Sequence, residues 1–315
     1  MSNPSLPQPF EHVPVLLHEV LEALNPQPGG VYADGTLGGG GHSLRILQRI
    51  GDNGILYGID RDQEALRAAG ERLQGFPGFR PLHGNFHDIK ALLDNRRLNG
   101  GLLDLGVSSY QLDNAQRGFS YHEDAPLDMR MDASAGETAA QWLARVDERT
   151  LTQALYDYAD ERWAARIAKV LVETRPQQPL TTTMDLVRVV DKAIPKAVRR
   201  KEDGHPARRT FQAVRIAVND ELAPLAKALD DWMDCLLPGG RLCVITFHSI
   251  EDRIVKHAFR RMQHPCVCPP KAPVCTCGQH PVARVLSGGA TKPTAEEVVR
   301  NPRARSALLR VAERI

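Results

Sequence analysis

Apolar positions along the chain alternate between two spacings, and their order sketches the fold. Val15 to Leu24 carries helical spacing, stopped by Asn25-Pro26 and by Pro28-Gly29-Gly30, which lead into a short apolar strand, Val31-Tyr32-Ala33. A glycine run then opens a helical pattern at Leu44-Arg45-Ile46-Leu47. Ile55 to Asp60 reads as a buried strand, Asp62 to Leu73 as a helix, and Gly101 to Leu103 as a further strand delivering Asp104. This strand-helix alternation predicts a parallel sheet. It fails after Ser109: Gln111 to Ser134 has no clear period, and Glu137 to Glu173 is helical around Trp142, Leu143, Leu151, Leu155, Tyr158, Ile167 and Leu171. Thr181-Thr182-Thr183 offers an N-cap for a helix from Met184 to Ala193. Phe211 to Leu236 reads as one helix, Arg241 to Phe247 as the strongest strand of the chain, and Ile250 to Met262 as another helix. Two β-prone stretches, Val282 to Leu286 and Ser306 to Val311, follow. The expected fold is α/β, a doubly wound, mostly parallel sheet formed by 1–112 and 209–315, with an inserted helical domain over 113–208.

Three strand ends carry acids or small polar groups. Asp34-Gly35-Thr36-Leu37-Gly38-Gly39-Gly40-Gly41-His42-Ser43 places a carboxylate and glycines ahead of a helix, where backbone N–H groups can approach a ligand closely. By itself a glycine cluster is more often a flexible loop, and the spacing departs from the G-x-G-x-x-G of dinucleotide binders. Asp60 lies at the end of the second strand, about twenty residues after Gly40, the distance at which a carboxylate accepts hydrogen bonds from ribose hydroxyls. The competing role is capping of the following helix. Asp104, with Val107-Ser108-Ser109 just beyond it, is the third polar tip. In open α/β sheets ligands bind outside the carboxyl ends of strands, so the three tips together indicate a nucleotide-type cofactor crevice.

Charge adds one local feature. The 315 residues carry a net charge of only +2, so a nucleic-acid footprint has to come from clustering. Lys192, Lys196, Arg199, Arg200, Lys201, Arg208, Arg209 and Arg215 provide it, against only Glu202 and Asp203. Such a stretch, interrupted by Pro195, Gly204 and Pro206, reads as a loop that meets phosphates. No apolar run has the twenty or so residues needed to span a bilayer, and the proline-bearing amino terminus lacks a signal-peptide core, so a cytosolic location is expected and no membrane partner. Cys235 and Cys243 sit in apolar patterns and read as buried thiols. Cys266, Cys268, Cys275 and Cys277 form two C-x-C pairs. Reduced thiols in a surface loop, with no bound metal, are the expected state. A tetrahedral zinc site is the alternative, for which C-x-C is a poorer signal than C-x-x-C, and disulfides fit a cytosolic chain least.

The ordered set of motifs resembles class I S-adenosylmethionine-dependent methyltransferases and, more narrowly, the ribosomal RNA small subunit methyltransferase H (MraW) family. The resemblance rests on His12 to Leu17, Asp34 to Gly38, Gly40 to Ser43, Gly58 to Asp62, Asp104 to Ser109 with Gln111-Leu112-Asp113, Arg117 to Ser120, and Pro126 to Met131. It continues through Phe211 to Ile216, Phe247 to Arg253 and Asn301 to Ser306. It implies S-adenosylmethionine as cofactor, 16S rRNA or the small ribosomal subunit as partner, and N4-methylation of a cytosine in the decoding region. By the resemblance Gly40, Gly41 and His42 hold the cofactor's methionine end, Asp60 the ribose, Phe86 the adenine, and Asp104 and Gln111 the region of the sulfonium and its methyl. One departure is Tyr110, which stands where the family usually has Pro. The general amino-methyltransferase signature, an Asn, Asp or Ser followed by Pro-Pro and an aromatic, is absent.

The amine of cytosine is a weak nucleophile because its lone pair is delocalised into the ring, so the reaction needs positioning more than a strong base. Asp104, Ser108 and Ser109 are the candidates to accept its hydrogens, although Asp104 serves equally as a loop organiser or cofactor contact. A base leaving its stack needs aromatic or flat neighbours, for which Tyr110, Phe247 and His248 qualify, Phe247 also having a core role open to it. Arg199, Arg200 and Lys201 are the expected backbone contacts to rRNA. A noncatalytic RNA-binding assembly protein on the same scaffold is the competing function. An NAD-linked oxidoreductase is a third, opposed by the missing G-x-G-x-x-G.

Overall fold

The computed structural model describes residues 14–199, 204–269, 274–286 and 288–315. Among them the chain divides into two compact units, one within 14–60, 66–105 and 230–315, the other within 61–65 and 106–229. The second unit is wider than the 113–208 insertion expected above, because the helix beginning at Arg208 buries Phe211 and Val214 in that unit's core.

The first unit is a seven-stranded sheet of β1 (Val31–Asp34), β2 (Ile55–Asp60), β3 (Phe79–His83), β4 (Leu98–Asp104), β5 (Leu236–Thr246), β6 (Ala283–Val285) and β7 (Leu308–Arg314). Its order is β3-β2-β1-β4-β5-β7-β6, parallel except that β7 pairs antiparallel with both β5 and β6. Helices α1 (Leu17–Leu24), α2 (Gly41–Ile50), α3 (Gln63–Leu73) and α4 (Ile89–Leu93) follow in chain order. Leu16, Val20, Ile46, Leu47, Leu56, Leu102, Ile245 and Leu309 make one continuous apolar cluster of this unit. β3 gave no apolar run to find: its burial alternates weakly, it contains Pro81, and it is an edge strand, where a missing N–H is tolerated.

The second unit is helical: α5 (Ser109–Asp113), α6 (Ala139–Arg145), α7 (Glu148–Ala159), α8 (Ala164–Thr174), α9 (Thr183–Ala193), α10 (Lys196–Arg199) and α11 (Arg208–Asn219). Trp142, Leu143, Leu151, Leu155, Ile167, Leu171, Val190, Phe211 and Val214 form its core. Thr182 caps α9 by accepting from the Asp185 N–H, as the threonine run anticipates. The expected single helix from Phe211 to Leu236 is instead α11 and α12 (Leu225–Cys235). Asp220 ends α11 in the left-handed region at φ 47°, and Pro224 enforces the interruption. The irregular Gln111 to Ser134 stretch is fixed by Arg117. Its guanidinium donates to Asp62 Oδ2 at 2.8 Å and to the Arg130 and Met131 carbonyls, all within this unit. The chain is completed by α13 (Ser249–Gln263) and α14 (Ala295–Arg300) in the first unit. Among the described residues no helix is long and apolar enough to cross a membrane.

Candidate functional site

β2, β1 and β4 are adjacent and parallel, so their last residues, Asp60, Asp34 and Asp104, end on one edge of the sheet. The order reverses between β1 and β4, the point where a doubly wound sheet opens its crevice. From β1 the chain passes through Gly38 (φ 49°) and Gly40 (φ 72°), left-handed conformations that glycine adopts without steric cost, and enters α2. Gly40 is the N-cap and no side chain caps α2, which leaves its first-turn N–H groups pointing outward as an anion-binding end.

Each acid has its own surroundings. Asp60 Oδ2 accepts from the Gly38 N–H at 2.8 Å and so holds the glycine loop in place. Asp34 is buried and accepts from Ser43 Oγ at 2.7 Å and the Thr36 N–H at 3.2 Å. Burial, helped by the nearby Asp60 charge, outweighs those bonds and pushes its carboxyl up to about 6. Asp104 receives no such relief. Its side chain is 26% exposed, yet Oδ1 is shut off from solvent and takes no hydrogen bond, while Oδ2 stands 3.8 Å from His42 Nδ1. Burial, then the charges of Asp34 and Glu251, push the carboxyl up to about 8. The Asp104 N–H donates to Thr36 Oγ1 at 2.6 Å, tying the β4 tip to the glycine loop.

His42 is buried. Its Nε2 lies 2.9 Å from the Val15 carbonyl, which only accepts, so the proton sits on Nε2 and the Nδ1 side faces Asp104. Phe86 follows β3 at the start of a 3-10 turn, half-buried, with its carbonyl accepting from Trp232 Nε1 at 2.9 Å. A Cβ on Gly35 would collide with Leu103, Trp232 and Phe86, so the bare position lets these groups close under the loop. Phe247 packs on the apolar cluster of the first unit and donates its N–H to Glu251 Oε2 at 2.9 Å. His248 is the N-cap of α13: Nδ1 accepts from the Glu251 N–H and Nε2 lies 2.9 Å from Glu251 Oε1.

Residues 9–315 match the profile of the MraW methylase family. The chain belongs to the MraW methylase family. It is 50% identical over 310 residues to the ribosomal RNA small subunit methyltransferase H of Symbiobacterium thermophilum, with 97% of each chain covered. It is 51% identical to the proteins of that name from Trichlorobacter lovleyi, over 310 residues, and Pelobacter propionicus, over 311; in both cases 97% of this chain and 99% of the relative are covered. A solved structure titled putative rRNA-methylase, from Clostridium thermocellum, aligns over 95% of both chains at TM-score 0.44 and 11% identity.

In this MraW family member Gly40, Gly41, His42, Asp60, Phe86 and Asp104 all belong to the sheet unit. Ser108, Ser109, Tyr110 and Gln111 belong to the helical unit. There Ser108 Oγ accepts from the Gln111 N–H while Gln111 Oε1 accepts from the Ser108 N–H, a capping box on α5, whose first residue is Ser109. Gln111 Nε2 donates to Asp62 Oδ2 at 2.9 Å. Gln111 is thus engaged at both ends by its own unit, and Tyr110 is 44% exposed. Arg199 is ion-paired with Asp191, and Arg215 grips Glu221 through two bonds of 2.9 Å, so neither guanidinium is simply presented to solvent. Arg209 donates to the Asp160 carbonyl. Lys192, Lys196 and Arg208 are exposed, and Arg200 and Lys201 lie outside the described residues.

Thr36 and Glu251 also stand in this candidate site, and in the sequence they lay within motifs without a part of their own. Asp34 was legible as an acid at a strand end. Glu251 carried a fainter signal, a Glu three residues after the residue that follows a strand, as in a capping box. The Asp62–Arg117 pair, fifty-five positions apart, left no local trace.

Proposed function

We propose that this protein is a cytoplasmic enzyme that transfers a methyl group from S-adenosylmethionine to N4 of a cytosine in the decoding region of 16S rRNA. The observation that carries the reading is Asp104, a carboxyl whose Oδ1 is shut off from water and takes no hydrogen bond, raised to about 8 on the edge where the glycine loop and Asp60 also end. The donor set suits S-adenosylmethionine. The uncapped end of α2 suits its carboxylate, Asp60 its ribose, Phe86 its adenine, and a carboxyl without a counter-charge its cationic sulfur. When bound, the cofactor supplies an electrophilic methyl group.

The chain's own residues then do the positioning. Asp104, ionised beside a cation, accepts an N–H of the cytosine amine, turns its lone pair toward the methyl, and takes up the proton the amine sheds. Gly40, Gly41 and the His42 backbone hold the methionine end, while the His42 ring, anchored on Val15, fixes the direction from which Asp104 is approached. Ser108, Ser109 and Tyr110 follow Asp104 in the chain and are proposed substrate contacts. Gln111, engaged by Ser108 and Asp62, sets the shape of that turn and stays a proposed cofactor contact. Phe247 and His248 are proposed to flank the flipped base. The names of the relatives support small-subunit rRNA as the substrate class, and Lys192, Lys196 and Arg208 are the exposed cations proposed for its backbone.

Small subunits from a strain lacking the gene, incubated with the protein and labelled S-adenosylmethionine, test the reading by nucleoside mass spectrometry. N4-methylcytidine in the 16S fraction is the expected product. A different methylated nucleoside, or none with a cofactor-bound enzyme, overturns it.

A further inference from the structure

In the connection between α13 and β6 the described residues bury no apolar side chain, and Val267 and Val274 are 80% and 70% exposed. Its ends are tied down, Val282 N–H donating to the Met262 carbonyl at 3.0 Å and Val285 N–H to Gln263 Oε1 at 2.6 Å. Between those ties the sulfurs of Cys266, Cys268, Cys275 and Cys277 lie within 4.8 Å of one another. We propose that these four thiolates form a closed tetrahedral zinc site that holds the loop together.

The geometry argues for a single small ion. Cys266–Cys275, Cys268–Cys275, Cys275–Cys277 and Cys277–Cys266 sulfur distances are 3.6, 3.8, 3.5 and 3.8 Å. Zinc binds thiolates at about 2.3 Å, and a tetrahedron with that radius has edges of about 3.8 Å. Disulfides would draw two pairs together to about 2.05 Å, and all four cysteines are free. An iron-sulfur cluster sets its ligands around a larger body and would spread them further apart. The Thr276 N–H points at Cys268 Sγ at 3.4 Å, and the Gln279 and Val267 amides bond the Cys277 sulfur, the support that thiolate ligands receive from their backbone. With four protein ligands no coordination position stays open, so the ion is structural rather than catalytic.

This reverses the expectation of free surface thiols. A C-x-C pair in an extended chain would send its two side chains to opposite faces, but the backbone bends at Cys268 and Cys277 and turns both pairs inward. A loop with so little buried apolar surface gains its cohesion from the metal instead.

Elemental analysis of full-length protein, purified with reductant and without added metal, tests the site. One zinc per chain is expected, retained through gel filtration and lost in the Cys266→Ser/Cys275→Ser double variant. Cobalt exchanged into the wild-type chain is expected to give the visible bands and thiolate charge-transfer absorption of a tetrahedral sulfur site, independent of any activity. A wild-type chain that holds no zinc, takes up no added zinc or cobalt, and has four thiols reacting freely with a disulfide reagent in the native state overturns the proposal. So does iron in place of zinc at the same stoichiometry.

Discussion

Cofactor binding should be coupled to release of a proton from Asp104. In the free chain its carboxyl is raised to about 8, so at neutral pH it is mostly protonated. A cationic sulfonium nearby favours the carboxylate and pulls the value down, so binding is strongest where the group is already ionised. Affinity therefore rises with pH up to about 8 and then levels. If the bound state titrates well below neutrality, the penalty at pH 7 is about tenfold, or about 1.4 kcal/mol, and it nearly vanishes by about pH 9. S-adenosylhomocysteine carries the same amino acid and nucleoside but a neutral sulfur, so the ratio of the two affinities isolates the sulfonium. Calorimetry in buffers of different ionisation enthalpy should show that ratio rising about tenfold between pH 7 and 9, with close to one proton released at pH 7. In Asp104→Asn the ratio should be flat and low. A flat ratio in the wild type refutes the reasoning, and a slope that persists in Asp104→Asn moves the titration to another group.

The same raised carboxyls make the free chain less stable as pH rises. The contributions of Asp34 and Asp104 are complete below the unfolded carboxylate value near 4 and are lost as pH passes about 6 and about 8, so the melting temperature should fall between pH 5 and 9, and less steeply in Asp104→Asn. Arg117→Ala strips Asp62, whose side chain is 3% exposed, of its buried partner and should cost about 3–5 kcal/mol in chemical denaturation; a loss under about 1 kcal/mol would mean the pair is dispensable. Asp60→Ala should weaken S-adenosylmethionine binding through both the ribose and the loosened Gly38, whereas Gly40→Val, strained at φ 72° and crowded by Leu73 and Ala69, should lower melting temperature as well as affinity. Wild-type affinity in Asp60→Ala would remove it from the site. Exchanging Lys192, Lys196 and Arg208 for Ala should weaken RNA binding and lower the magnitude of the salt slope by about two, roughly 0.7 per lost phosphate contact, leaving cofactor affinity alone; an unchanged slope places docking elsewhere.

What the sequence by itself determined lies where the physics is local. The strands β1, β2 and β4 contain short apolar runs that stop at the acids Asp34, Asp60 and Asp104, and Leu242 to Ile245 is the apolar run of β5. Gly40 and the α2 pattern announced an uncapped helix start in the same way, and Thr182 its cap. What only the tertiary structure decided depends on partners far apart in the chain. That the Asp104 carboxyl is raised to about 8 follows from its burial first and then from Asp34 and Glu251 arriving beside it, which no spacing encodes. That Arg199 and Arg215 are occupied while Lys192 and Arg208 face solvent follows from where Asp191 and Glu221 came to rest. The edge strand β3 and the break at Asp220 were settled by packing and by one backbone conformation rather than by an apolar period. The four cysteines show the same division: their identities were plain in the sequence, but their convergence is a property of the folded chain alone.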